Sequence, residues 1–296
     1  MRIFVIGANG QLGWELCRQG KESSADVVGC DLPEVDITDP AALERAVKGA
    51  QASVVINAAA YTAVDRAESE PELAFAVNRD GPAVLAALCR EMGIPLVHIS
   101  TDYVFDGEKG SPYLETDPVS PLGVYGRSKA AGEEEIRAGL DRHIIVRTSW
   151  LYGMHGNNFV KTILRLAGEK ETLRVVADQF GSPTHAADLA GALLDIAVKL
   201  SPGDRGKWGT YHYCNEGVTT WHGFAEKICG LLGEKEDLTV RRVEPIPTSQ
   251  YPTAAKRPHY SALDCSMLFR DYGIRPRAWE QSLMDMLEIR TKIEPL

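Results

Sequence analysis

Residues 2–13, RIFVIGANGQLG, restrict what this chain can become more than any other segment does. The run Arg2–Ile6 predicts a β-strand, and Gln11–Gln19 predicts an α-helix. Between them lies Gly7-Ala8-Asn9-Gly10-Gln11-Leu12-Gly13, with glycine at every third position. A strand that turns this sharply into a helix needs small residues at the turn. The helix start then offers unsatisfied N–H groups and the positive end of its dipole, which together suit an anion. Junctions of this kind belong to parallel sheets flanked by helices.

The rest of the first half keeps the same rhythm. Strands are predicted over Asp26–Asp31, Ser53–Asn57, Pro95–Ser100 and His143–Thr148. Helices are predicted over Pro40–Lys48, Pro71–Met92 and Gly126–Arg137, the first of them announced by Thr38-Asp39-Pro40. Strands apolar on both faces and separated by helices imply a parallel sheet covered on each side. After Trp150 the rhythm breaks: aromatic residues, Gly and Pro become frequent, with helices predicted near Phe159–Ala167, Ala186–Leu200 and Trp221–Leu232. The expected fold is α/β, a Rossmann-type doubly wound parallel sheet with a smaller, irregular α/β substrate-binding domain. The first domain takes residues 1–149 and about 185–215; the second takes about 150–184 and 216–296. A length of 296 residues accommodates both.

Two further segments bear on a dinucleotide. Asp31 closes the second strand, 18 residues beyond Gly13, where a carboxylate can accept hydrogen bonds from ribose hydroxyls. Leu32 follows it, so no adjacent cation neutralises a 2′-phosphate, and NADH is favoured over NADPH. Asp36 and Ile37 follow in a loop within reach of an adenine. The third strand ends in Asn57-Ala58-Ala59-Ala60-Tyr61-Thr62, small residues that let a ligand lie across the carboxyl ends of the strands.

A candidate for proton chemistry comes next. Tyr125 and Lys129 stand four residues apart, on one face of a helix. A phenol with a pKa near 10 is a weak acid–base group at neutral pH, and an ammonium beside it lowers that value. Such a pair also arises by chance. The strand PLVHIS, however, runs into Thr101-Asp102-Tyr103, 24 residues before Tyr125, and brings a hydroxyl to a strand's carboxyl end. A carbonyl oxygen there would meet two donors, Thr101 and Tyr125.

Charge and composition exclude other classes. The formal net charge of -9 is unlike the basic footprint that nucleic acid or an anionic membrane requires. No apolar stretch approaches the roughly 20 residues needed to span a bilayer, and no signal peptide is read at the start. The expected location is cytoplasmic. The six cysteines form no C-x-x-C pair and read as reduced thiols. The seven histidines form no zinc motif, His98 reads as a packed core residue, and no metal is expected in the catalytic site.

These segments together resemble the extended short-chain dehydrogenase/reductase family, and within it the reductases of keto sugar nucleotides. The resemblance covers nearly the whole chain. It is carried by the glycine turn, NAAAYTAVDRAESEP (57–71), STDYVFDG (100–107), SPLGVYGRSKAAGE (120–133), RTSWLYG (147–153), GNNF (156–159), DQFGSPT (178–184) and YPTAAKRP (251–258). It implies reduction of dTDP-4-dehydro-β-L-rhamnose to dTDP-β-L-rhamnose by NADH or NADPH. Gly7, Gly10, Gln11, Leu12 and Gly13 would hold the pyrophosphate, and Asp31, Asp36 and Ile37 the adenosine. Ala60, Tyr61, Thr62 and Ile99 would line the nicotinamide side, with Tyr125 as proton donor, Lys129 as its partner and Thr101 tuning it. Thr101, Asp102, Trp150, Asn157, Asn158 and Arg257 would meet the sugar nucleotide, the Trp150 indole facing a deoxysugar methyl and the Arg257 guanidinium a diphosphate.

Some relatives in that family are magnesium-bridged dimers. Glu15 matches the first metal-binding acid, but Ala occupies the place of the second in His185-Ala186-Ala187-Asp188. A bridging magnesium is therefore doubtful, Glu15 reads as a surface carboxylate, and the chain is expected to be a monomer or homodimer. Two other readings stay open at this stage. One is an epimerase or dehydratase of the same superfamily, in which the hydride returns to the substrate. The other is a non-catalytic regulatory subunit like that of methionine adenosyltransferase.

Overall fold

In a computed structural model of the protein, residues 1–22, 25–200, 207–233 and 238–293 are described. Residues 23, 24, 201–206, 234–237 and 294–296 of the spans assigned above to the two domains lie outside them.

Strand β1 (Arg2–Ile6) alternates its side chains between two cores. Ile3 and Val5 join one apolar cluster with Leu12 and Leu16 of helix α1 (Gln11–Gly20) and Leu189 and Leu193 of the later helix Ala186–Lys199. Phe4 and Ile6 join the other, with Leu43 and Val47 of α2 (Pro40–Ala50), Leu85 and Leu88 of α3 (Gly81–Met92) and Ile136 of α4 (Val124–Gly139). A strand buried on both faces is what a sheet covered by two helix layers requires.

Strand β1 pairs in parallel with both β2 (Asp26–Cys30) and β3 (Val54–Asn57). With β4 (Leu96–Thr101), β5 (His143–Thr148) and β6 (Gly209–His212), the order is β6-β5-β4-β3-β1-β2, parallel throughout. The order reverses between β1 and β3, the switch point where open α/β sheets bind ligands. The fold class is thus as expected. Strand β6 is a difference: GTYH has little apolar content and reads as loop. Its backbone pairs with Ile144–Arg147 at the sheet's edge all the same.

The stretch expected to be one helix, Pro71–Met92, is interrupted. An α-helical turn (Pro71–Phe75) passes into a π-helical turn (Ala76–Asp80) before α3 begins. Pro82 has no N–H for the carbonyl four residues back, that of Asn78. There α4 comes in at Gly132, where an added Cβ would stand 2.0 Å from the Asn78 oxygen. The other end of α4 packs as closely, since a Cβ on Gly126 would stand 2.2 Å from the Tyr103 carbonyl. Helix α4 begins at Val124, earlier than its sequence suggests, because the Glu68 carboxylate accepts the Val124 N–H at 2.7 Å. Main-chain contacts at two glycines thus fix α4, which carries Tyr125 and Lys129.

A separate apolar cluster forms after Trp150. Tyr152, Ile163, Leu173, Phe224, Ile228, Trp279 and Leu283 pack together beneath short strands and the helices Phe159–Glu169, Trp221–Gly233 and Trp279–Ile293. No helix among the described residues is long and apolar enough to cross a membrane.

Candidate active site

The glycine turn sits at the switch point. Gly7 has φ +86°, and a Cβ on it would lie 2.5 Å from the backbone nitrogen of Ala59, so the turns after β1 and β3 touch. A Cβ on Gly13 would lie 2.0 Å from the Gly7 carbonyl. Gly10 differs: a side chain there would meet only the Gly7 oxygen, at 3.4 Å. It is the extended N-cap of α1, and no side chain caps the helix. The first N–H groups of α1 are left to the space above Gly10, a cradle that fits a pyrophosphate.

That space belongs to a cleft of about 600 Å³. Of the residues expected at the site, Gly10, Gln11, Leu12, Ala60, Thr62, Ile99, Thr101, Asp102, Tyr125, Lys129, Trp150 and Asn157 line it. Others stand apart from its wall. Asp31 accepts the backbone N–H groups of Asn9 and Leu32, both at 2.7 Å, which fixes its carboxylate beside the turn. Asp36 accepts from the N–H and hydroxyl of Thr38, and Ile37 is buried in the core against Gly81. Tyr61 gives its hydroxyl to Glu70, and its main chain is held by Asn78. Asn158 caps the helix Phe159–Glu169 and donates to Gln11, tying that helix to the glycine turn. Arg257 gives both arms to Asp65, at 2.6 and 2.7 Å. Glu15 is a correction: it is buried, only 3% exposed, and paired with Arg18 rather than free on the surface.

Tyr125 stands buried with its ring edge-on to Tyr103. Burial pushes its pKa up to about 12, with the Thr101 hydroxyl pulling the other way and Asp102 adding to the rise. Lys129 is buried too; burial lowers its pKa to about 8, partly opposed by Glu133. Here the geometry departs from the expected pairing. The Lys129 Nζ donates to the Ile99 carbonyl at 2.6 Å and lies 3.2 Å from Nε2 of His98. It is drawn to the strand, so the phenol keeps its proton at neutral pH. His98, read as a core residue, is buried as expected and also touches Lys129.

Asp102 is buried with Oδ2 unpartnered, while Oδ1 accepts from Thr101 at 3.1 Å. Burial raises its pKa from the ordinary 3.8 to about 6, opposed by the hydroxyls of Ser261 and Thr101. A carboxyl whose folded value is raised costs stability above that value, and the cost disappears below the unfolded one. Asp102→Asn should therefore stabilise the protein at pH 7.5 by on the order of 2 kcal/mol, and the gain should vanish between about pH 6 and pH 4. Urea titrations across that range measure it.

Trp150 has φ +47°, a backbone conformation that a bulky residue rarely adopts. Its indole stacks on Trp221 at 3.6 Å and 9°, and a Cβ on Gly181 would strike the ring at 2.6 Å. Trp221 and Asn78 escaped the sequence reading. Trp221 opens a helix far from the other motifs. Asn78 was legible as a polar residue inside an apolar helical run, and its amide holds both Tyr61 and the Ser128 hydroxyl.

A parallel sheet with a glycine turn at its switch point, and a Thr–Tyr–Lys set at the other side of the same cleft, define a Rossmann-like protein of the short-chain dehydrogenase/reductase type. Within that class, the chain belongs to the family described as the RmlD substrate binding domain, whose model matches residues 1–291. It is similar to the dTDP-4-dehydrorhamnose reductase of Aggregatibacter actinomycetemcomitans, 42% identical over 287 residues, 96% of this chain and 98% of the relative. The crystal structure of a dTDP-4-dehydrorhamnose reductase from Clostridium acetobutylicum ATCC 824 superposes with a TM-score of 0.91 at 40% identity, covering 98% of this chain and 99% of that one. Another, from Bacillus anthracis str. Ames in complex with NADP, has a TM-score of 0.90 at 38% identity and covers 97% and 99%.

Proposed function

We propose that this protein reduces the 4-keto group of dTDP-4-dehydro-β-L-rhamnose with NADH or NADPH, giving dTDP-β-L-rhamnose in the cytoplasm. The observation that carries the reading is one cleft shared by the glycine cradle, Thr101, Tyr125 and Lys129, in a chain 42% identical to a reductase of that name. An epimerase or a regulatory subunit is less well supported, because relatives 41–43% identical carry the reductase name and the residues proposed for proton transfer are present.

In this reading the N–H groups at Gly10, Gln11 and Leu12 hold the pyrophosphate, and Gly7 and Gly13 let the backbone come close. Asp31 serves the adenosine ribose, an arrangement that favours NADH, and NADP in the Bacillus anthracis structure makes NADPH the comparison to run. Asp36 and Ile37 shape the adenine side through the Thr38 turn and the core. Ala60, Tyr61, Thr62 and Ile99 form the wall on the nicotinamide side, with Tyr61 acting through its main chain. When bound, the reduced nicotinamide supplies the hydride for the carbonyl carbon. Tyr125 delivers the proton to the carbonyl oxygen, and the Thr101 hydroxyl donates to the same oxygen. Lys129 as an ammonium stabilises the phenolate left behind. Asp102 offers its unpartnered oxygen to a sugar hydroxyl, and the stacked indoles of Trp150 and Trp221 present an apolar face to the C5 methyl. Asn157 faces the sugar, Asn158 aligns Gln11, and Arg257 with Asp65 flanks the diphosphate. The sheet of residues 1–149 with 185–215 forms the cofactor half; residues 150–184 and 216–296 form the sugar-nucleotide half, although Leu268 and Tyr272 of the latter pack into the core of the sheet.

The test supplies dTDP-4-dehydro-6-deoxy-glucose with the matching 3,5-epimerase and follows the cofactor's absorbance. One NADH or NADPH should be consumed per sugar converted. Turnover of the sugar nucleotide with no net consumption of cofactor would point to the epimerase class instead.

A further inference from the structure

His98 is fully buried in β4, between Asn57 on β3 and Lys129 on α4. Its Nδ1 lies 3.0 Å from Asn57 Nδ2, and its Nε2 lies 3.2 Å from Lys129 Nζ. The Asn57 amide cannot be turned over. Its Oδ1 accepts the Ala59 N–H at 3.1 Å, and the reversed amide would set two donors against each other there. The amide nitrogen brings only hydrogens, so Nδ1 must supply a lone pair. A neutral imidazole that accepts at Nδ1 carries its hydrogen on Nε2, and that hydrogen faces Nζ. An imidazolium would place a second donor against Asn57, which the same contact forbids.

An ammonium has three donors and no lone pair; an amine has one lone pair to accept the Nε2–H. The amine also keeps a hydrogen for the Ile99 carbonyl and another for the cleft. We propose that Asn57 and His98 are positioning residues that hold Lys129 as a neutral amine against β4, and that protonation of the lysine releases it toward Tyr125. Of the other titratable groups around Nζ, Glu133 favours the ammonium, and burial outweighs it. Glu133, one turn on, is engaged by Arg147 and Arg137; Tyr125, one turn back, keeps its proton; Asp102 lies beyond Thr101. Burial depresses the lysine in the same direction.

The titration itself is independent of the reaction; its catalytic consequence rests on the roles proposed above for Tyr125 and Lys129. Only the ammonium stabilises the phenolate, so the reduction rate should fall as pH rises through the folded lysine's pKa.

The experiment is an NMR titration of the full chain carrying 13C,15N-lysine, with Lys129 assigned through Lys129→Arg. The wild-type midpoint should fall clearly below the ordinary lysine value of about 10.4. His98→Leu removes the donor and should raise the midpoint by about one pH unit, a tenfold gain in proton affinity. Asn57→Asp should act in the same direction, because a carboxylate takes the imidazole hydrogen onto the Nδ1 side and leaves Nε2 as an acceptor. Should His98→Leu fail to fold, the near-isosteric Asn57→Asp carries the test. If His98 instead accepts from an ammonium, His98→Leu will lower the midpoint. That result, or a midpoint unmoved in every variant that folds, overturns the proposal. The basic limb of the kcat profile should shift with the midpoint. A midpoint that moves while this limb stays fixed supports the hold on Lys129 and removes the lysine's catalytic role instead.

Discussion

Tyr125→Phe is expected to lower kcat for ketone reduction by at least about a hundredfold, the usual scale for losing a general acid. KM for the sugar nucleotide should change little, since the ring and its edge-on contact with Tyr103 remain. The phenol has few substitutes. Thr101 brings a hydroxyl to the same place, but a threonine hydroxyl is a far weaker acid than a phenol. Asp102 is engaged by Thr101 on one oxygen. Steady-state kinetics of the variant with NADH or NADPH in excess measure the effect, and circular dichroism confirms that the fold is intact. A loss below about tenfold would mean that the proton comes from elsewhere.

The second large effect falls on stability. Glu133 is fully buried on α4, and both its oxygens are taken by the Arg147 guanidinium of β5, at 2.9 and 2.7 Å. Arg137 adds a contact at 2.6 Å, and Arg147 also stacks over Phe105, 5.0 Å from the ring centre. Glu133→Ala would leave the Arg147 charge buried with no counter-ion, a change that costs about 3–5 kcal/mol. Unfolding in urea, monitored by tryptophan fluorescence, reads this directly. The pH sign also follows. Burial disfavours the Glu133 anion, yet Arg147 outweighs it and the pKa is lowered in the folded state. The pair's contribution is therefore complete above the ordinary glutamate pKa, and it fades as pH falls through the depressed folded value. Because the same pair bolts the helix bearing Tyr125 to the sheet, a destabilised variant should lose rate as well.

Much of this was legible in the chain before any coordinates. Local signals decide β1, its glycine turn and α1, because apolar alternation, small residues and helix pattern all agree within 20 residues. Tyr125, Lys129 and Thr101 were equally visible, being tied to a strand end and a helix face. What stayed hidden depends on contacts between distant residues. Glu68 starts α4 from 56 residues away. The π-helical turn before α3 answers a backbone approach at Gly132 that periodicity does not record. His98 looks like any apolar-strand histidine until Asn57 and Lys129 arrive on either side of it. Strand β6 exists because β5 offers a free edge, which four mostly polar residues do not announce.

That last strand has a consequence for how the molecule is made. The sheet is finished by residues 209–212, so the ribosome must deliver the whole stretch from Trp150 onward before β5 acquires its outer neighbour. Until then β5 exposes a bare hydrogen-bonding edge, open to any other extended chain. The two apolar clusters are thus interleaved in time as well as in space: the nascent sheet waits for a strand that returns only after part of the second cluster has emerged.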